Sequence, residues 1–281
     1  MESRTRNLTD EALTQAARAS FESAQSDRLR VILDSLVRHL HGFITDVELT
    51  EDEWLVGIEF LTAIGRITDE RRQEFILLSD VLGASMLVIG LNHRVEDTAT
   101  ASTVFGPFFV EGAPRFENGD DIAGGAPGEI CVVNGRVLSP AGQPIAEARI
   151  DIWQADDAGK YDVQYDDLAD ARGRGYLFSN SEGRFWFQTI RPKPYPIPTD
   201  GPVGQLLRAT GRSPMRPAHI HFRIAADAYE TLTTHVFVAG DPFLDTDAVF
   251  GVKETLIAPF VASKDAQCTL EYNFVLARKD L

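Results

Sequence analysis

The sequence predicts an α+β chain, with an N-terminal helical segment followed by an antiparallel β-sandwich and the change falling near residue 100. Apolar residues recur at steps of three and four before His93. Beyond residue 98, short runs alternate polar with apolar, and glycine and proline become frequent between them. Helices first and many short strands after is the pattern of two segments, expected as a helical dimerisation domain over 1–100 and a β-sandwich domain carrying the site over 101–281.

Within the helical part, Thr50 and Glu53 of TEDEW stand at capping-box spacing, where each side chain can satisfy a free backbone amide. Thr68, ahead of Asp69 and Glu70, offers a second start. Phe75, Leu78, Leu82, Met86 and Ile89 then mark one face of a helix expected over 71–92. Ile76, Leu77, Val81, Leu87 and Val88 widen that stripe, which predicts burial on more than one side, in a helical core or a dimer interface.

In the β part, Ala148, Ile150 and Ile152 alternate with Arg149, Asp151 and Trp153, and Ile220, Phe222 and Ile224 with His219, His221 and Arg223. Near the end, Leu270, Tyr272 and Phe274 alternate with Thr269, Glu271 and Asn273. Each run is expected to be a strand with one face buried. The tract RPKPYPIPTDGP over 191–202 holds five prolines and is expected to be a stiff irregular loop.

Composition narrows the function classes. The 281 residues are 44% hydrophobic and 25% charged, an ordinary globular balance. A net charge of −15 lacks the basic footprint of a nucleic-acid binder, yet leaves a small anionic substrate open. No stretch approaches the roughly 18 apolar residues of a membrane span, and MESRTRNLTDEA lacks an apolar signal core, so a cytoplasmic protein is expected. Cys131 and Cys268 are then expected to stay reduced.

Three features could carry chemistry. In RPAHIHF, a strand would point His219 and His221 to one face, where two imidazoles can reach a common metal ion. Taken alone, the pair could equally be two histidines on an exposed polar face. Tyr161 and Tyr165 lie in the acidic loop after Trp153, and Tyr195 lies among the prolines; each could simply be a packed aromatic with its hydroxyl in reach of solvent.

In order along the chain, GPFF at 106–109, GKY ending at Tyr161, PYPIP around Tyr195, RPAHIH and VAGDPF resemble the intradiol ring-cleaving dioxygenases over most of its length. The resemblance implies one Fe(III) per subunit, held by Tyr161, Tyr195, His219 and His221, with Tyr195 as the ligand that substrate displaces. GKY fits the family's motif better at Tyr161 than Tyr165 does. Such a set suits the ferric state: phenolate oxygen is a hard anionic donor, and the metal's charge should drag a phenol pKa far below its usual value of about 10. Ferrous oxygenases instead favour two histidines and a carboxylate. A coloured protein is expected from phenolate-to-iron charge transfer.

The same resemblance implies that Arg216 stabilises negative charge on the ring during attack by dioxygen, and that the pocket is lined by Leu77, Asp80, Val104, Phe105, Gly106, Pro107, Phe108, Ile197 and Pro198. Asp80 is the polar exception among these walls, and could accept a hydrogen bond from a third ring hydroxyl that catechol lacks. The run THVFVAGDPFLDTDAVFGVKETL is similar to the hydroxyquinol branch, with His235 where catechol-type enzymes usually carry glutamine; no role is assigned to it. An aromatic diol or triol and O2 are thus the expected partners, with hydroxyquinol the leading substrate. Catechol or chlorocatechol cleavage, a non-catalytic β-sandwich binding module, and a zinc hydrolase built on His219 and His221 are the alternatives. A homodimer through the N-terminal helices, with room for a phospholipid at the interface, is implied as well.

Overall fold

Helices in this chain begin where a side chain can cap them. Thr9 accepts a hydrogen bond from the Ala12 amide at the start of α1 (Asp10–Ala19), and Ser26 does the same for Leu29 in α2 (Asp27–Asp46). At the start of α3 (Glu51–Ile67) the Glu53 amide donates to Thr50 Oγ1 at 3.3 Å and the Thr50 amide to Glu53 Oε2 at 3.0 Å, the reciprocal box read from TEDEW. Thr50→Ala should therefore cost about 1 kcal/mol of stability, read from the urea midpoint; an unchanged midpoint would show that water replaces the cap without loss.

The computed structural model describes residues 6–70, 72–93, 98–165, 168, 170–262 and 268–279. The chain divides into two compact units, one ending at Thr62 and one beginning at Ala63. In the first, α1 and α2 pair, with Arg18 forked onto Asp34 at 2.6 and 3.0 Å and the Thr14 hydroxyl 2.8 Å from His41 Nδ1. In the second, Thr68 does not open a helix: its hydroxyl bonds back to the Ile64 carbonyl at 2.9 Å and helps close α3. The helix expected over 71–92 is two, α4 (Glu74–Val81) and α5 (Ala84–Asn92), bent by 78° where Gly83 takes φ +75°. Within the single chain the stripe is not buried on several sides. α4 buries Glu74, Leu77, Asp80 and Val81, whereas α5 buries none of its residues and exposes Leu87, Val88 and Leu91.

The contact boundary at Thr62 differs from the expected one at residue 100 because α4 is tied to later chain. The buried Glu74 carboxylate accepts the Val203 amide of α6 (Pro202–Ala209), and Arg72 bridges Glu74 and Asp200. Among the described residues, no single helix is long and apolar enough to cross a membrane.

Two five-stranded sheets form the sandwich. The first is built around β1 (Ile130–Leu138) and includes β4 (Arg184–Ile190), β10 (Phe260–Ala262), β11 (Cys268–Glu271) and β12 (Phe274–Val275). The second runs in the order β3 (Arg174–Phe178), β2 (Arg149–Trp153), β7 (His219–Ala225), β8 (Leu232–Val238), β9 (Ile257–Ala258). Most pairings are antiparallel; β1 runs parallel to β11 and β12, and β8 to β9. Period-two alternation aims Val133, Val137, Phe185 and Phe187 from one sheet at Ile150, Ile152, Ile220, Phe222 and Ile224 from the other, and these residues form the core. Phe222 sits at its centre, 4.8 Å from Phe274 between ring centroids. Cys131 and Cys268 are register partners on β1 and β11, both free thiols.

The proline-rich tract is less irregular than expected. Tyr195–Pro196 form a short strand, β5, paired with β6 (Met215–Arg216), and Pro202 opens α6, where its missing N–H costs nothing.

Candidate metal centre

The alternation that sends Ile220 and Phe222 into the core sends His219 and His221 to the opposite face of β7. Register then lines up aromatic rings across three strands: Trp153 of β2, His221 of β7 and His235 of β8 stand in one row, with His219 opposite Phe237. The Trp153 and His221 rings stack at 4.6 Å. Tyr161 arrives on the loop after β2, closed by Asp156, which accepts the Ala158 and Lys160 amides. Gly159 in that loop takes φ +75°, and a Cβ there would lie 2.7 Å from Tyr195 Cβ, so only glycine allows the two tyrosine segments to meet. Tyr165 turns away and donates to Asp156 at 2.6 Å. Pairing of β5 with β6 sets Tyr195 beside Arg216.

Four donors converge. Tyr161 Oη lies 2.9 Å from Tyr195 Oη and 2.8 Å from His221 Nε2, and His221 Nε2 lies 3.2 Å from His219 Nε2. These spacings match ligands sharing one ion with bonds of about 2 Å, the range seen for nitrogen and oxygen donors. His219 Nδ1 contacts the Pro217 carbonyl at 2.6 Å and must donate to it, which leaves the Nε2 lone pair facing the centre. Burial holds the His219 pKa down to about 3 and those of His221 and His235 well below 6.5, with neighbouring cationic groups adding to the effect. All three are therefore held in the neutral form. Burial likewise raises the Tyr161 and Tyr195 phenols above their ordinary value, a shift that only a nearby cation such as a metal ion would reverse. His221 Nδ1 and His235 Nε2 are buried without a hydrogen-bond partner, and the three imidazoles can offer nitrogens within 4.8 Å of one another. The donor set fits a metal ion.

A depressed imidazole takes up its proton on unfolding, so acidification below 6.5 favours the unfolded chain. The urea midpoint of metal-free protein should fall as pH drops from 6.5 towards 3, with His219 alone binding one proton on unfolding across that window. A midpoint that stays flat through this range would contradict neutral burial of these rings.

Arg216 is buried beside the centre, and its Nε and Nη2 reach the Asp247 carboxylate at 3.1 and 3.4 Å. Burial alone would lower the arginine's pKa, but the Asp247 carboxylate beside it favours the charged form and the guanidinium stays protonated. Asp247 is itself held by the Val249 and Gly251 amides, and Arg216 Nη1 lies 3.3 Å from His219 Nε2. Asp247 was not legible as a site residue: a buried acid is recognised by its partner, and here the partner is 31 residues away. His235, unassigned in the sequence, hydrogen-bonds through Nδ1 to the Thr103 hydroxyl.

Of the expected pocket walls, Gly106 lies against His221, its Cβ position being 3.4 Å from Cε1, and Phe108 stacks on Tyr161 at 4.4 Å. Leu77, Val104 and Ile197 are buried, Pro107 and Pro198 half-buried, and Phe105 is exposed while touching Phe109 and Trp153. Asp80 is buried. Burial raises its pKa, opposed first by a hydrogen bond from Ser85 and then by Arg216, while Asp247 reinforces the shift.

Family models described as "Dioxygenase" and "Catechol dioxygenase N terminus" match residues 104–278 and 26–100. A 6-chlorohydroxyquinol 1,2-dioxygenase of Cupriavidus pinatubonensis is 55% identical over 264 residues, 94% of this chain and 96% of that relative. A hydroxyquinol 1,2-dioxygenase of Rhodococcus opacus is 56% identical over 253 residues, 90% of this chain and 84% of its own length. The solved structure of hydroxyquinol 1,2-dioxygenase from Pseudomonas putida DLL-E4 superposes with a TM-score of 0.89 at 46% identity, covering 96% of this chain and 99% of that one.

Proposed function

The chain belongs to the intradiol dioxygenase family, and from that premise we propose that it cleaves hydroxyquinol with O2 between the two adjacent hydroxylated carbons, giving 3-hydroxy-cis,cis-muconate, a tautomer of maleylacetate. The observation that carries the reading is the convergence of two phenols and two neutral imidazoles at 2.8–3.2 Å in a buried site. Tyr161, Tyr195, His219 and His221 would hold one ferric ion, which supplies Lewis acidity and a template for the two vicinal hydroxyls.

The chain's own residues divide the remaining work. Tyr195 Oη, on its separate two-residue strand, would accept a proton from a substrate hydroxyl, while Tyr161 is held under the Phe108 ring. Arg216, fixed by Asp247, aims positive charge at the ring as electron density builds on it. Phe108, Val104 and Ile197 shield the flat ring from water. Asp80, already hydrogen-bonded to Ser85, accepts the third hydroxyl as well, and catechol would leave that further acceptor position in a buried site unfilled, which would penalise that substrate.

Turnover on hydroxyquinol and on catechol, with the product identified, tests this reading, and a strong preference for catechol would sink it. Asp80→Asn should narrow the preference by about 10-fold or more, mainly through loss on hydroxyquinol. An unchanged ratio would remove Asp80 from the account. Leu36, Leu40, Phe43, Trp54, Leu55 and Leu61 are exposed on α2 and α3, which supports a homodimer through these helices with room there for a phospholipid chain. Sedimentation as a monomer at micromolar concentration would refute the dimer.

A further inference from the structure

Arg174, the first residue of β3, is charged and buried, and the reaction outlined above does not use it. Its Nε and Nη2 fork onto the Asp162 carboxylate at 2.6–3.0 Å, and Nη2 also donates to the Phe108 carbonyl at 2.7 Å. These two partners flank one residue. Asp162 follows Tyr161 in the chain, and Phe108 lays its ring on the Tyr161 ring at 4.4 Å and 18°. The base of the clamp is rigid, because Arg174 is the register partner of Trp153, whose ring stacks on His221.

We propose that Arg174 is a positioning residue for Tyr161, gripping the side chain of the next residue on one side and the backbone carbonyl of the stacking Phe108 on the other so that Oη is held facing the other three donors. The proposal rests on the reading of Tyr161 as a metal ligand. A ligand must be held to within about 0.5 Å of its productive position, and supporting contacts decide whether it is. A planar fork engages a carboxylate and a carbonyl at once in fixed geometry, which a lysine ammonium does not.

Stability alone is a poor reason for this pair. The Arg174 and Asp162 side chains are only 5% and 8% exposed, and removing both charges of such a pair is often neutral or stabilising, while removing one strands the other. That asymmetry separates positioning from scaffolding. Arg174→Met by itself strands Asp162 and risks misfolding. The double variant Arg174→Met/Asp162→Asn removes both charges and should keep a thermal midpoint close to that of the parent protein.

The test loads the full-length parent, the double variant and Arg174→Lys with ferric ion. It records the phenolate-to-iron absorption band and the rate at which a chelator strips the metal. The proposal expects the folded double variant to show a displaced, weaker band and to lose iron about 10- to 100-fold faster, the usual consequence of removing a ligand's outer support. Arg174→Lys, charged but without the fork, should fall between. A double variant with the parental band and parental stripping rate overturns the proposal while leaving the ligand reading standing. A parent protein that binds ferric ion without colour overturns the ligand reading, and the positioning role with it.

Discussion

Arg216→Gln is expected to lower kcat on hydroxyquinol by about 10²–10³-fold, the effect typical of losing one fixed donor aimed at developing charge. KM should change much less, because the guanidinium matters most when electron density moves in the ring. The ferric protein should keep its colour, since Arg216 is no ligand in this account. Asp247 would keep the Val249 and Gly251 amides but be left buried without its counter-charge, so the variant should also melt at lower temperature; Arg216→Lys, which keeps a charge, separates the two effects. Steady-state kinetics alongside the melting curve check this, and an unchanged kcat in a folded Arg216→Gln protein would remove the arginine from the chemistry.

Tyr161→Phe has the largest expected consequence. Loss of an outer support commonly weakens metal binding by 10–100-fold, so loss of the ligand itself should weaken it by at least about 100-fold. Turnover should fall to background and iron should be lost on dialysis, followed by metal analysis of the protein. Tyr195→Phe offers the contrast: with Tyr195 as the displaced ligand, that variant should retain a charge-transfer band from Tyr161. Equal bleaching by both substitutions would contradict the division of roles between the two tyrosines.

The common face of the two histidines could be read before the fold because it is built on period-two alternation, whereas Tyr161, Tyr195 and Arg216 were pointed to only by the family resemblance. The spacing of His219 and His221 fixed their common face, and Ile220 and Phe222 fixed which face was the core. Capping chemistry was equally local, which is why Thr50 and Glu53 were legible. The apolar stripe after Gln73 misled because hydrophobic spacing does not register a single glycine at φ +75°, and Gly83 breaks the helix there. Thr68 misled for a related reason: its hydroxyl can close the helix before it as readily as open one after it. Supports drawn from distant chain were invisible. Asp162 lies 12 residues from Arg174, Asp247 lies 31 from Arg216, and Thr103 lies 132 from His235. Each is a polar residue whose burial becomes apparent only once the sheets have brought its partner within reach.

The most direct test of the two-tyrosine, two-histidine centre is the visible absorption spectrum of the iron-loaded protein, taken before and after adding hydroxyquinol in the absence of oxygen. A broad band that shifts when substrate is added is the predicted result, since it requires both phenolate ligation and direct chelation of the ring hydroxyls. A protein that binds iron stoichiometrically yet stays colourless would contradict the centre, and Tyr161, Tyr195, His219 and His221 would then be no more than a buried hydrogen-bonded cluster.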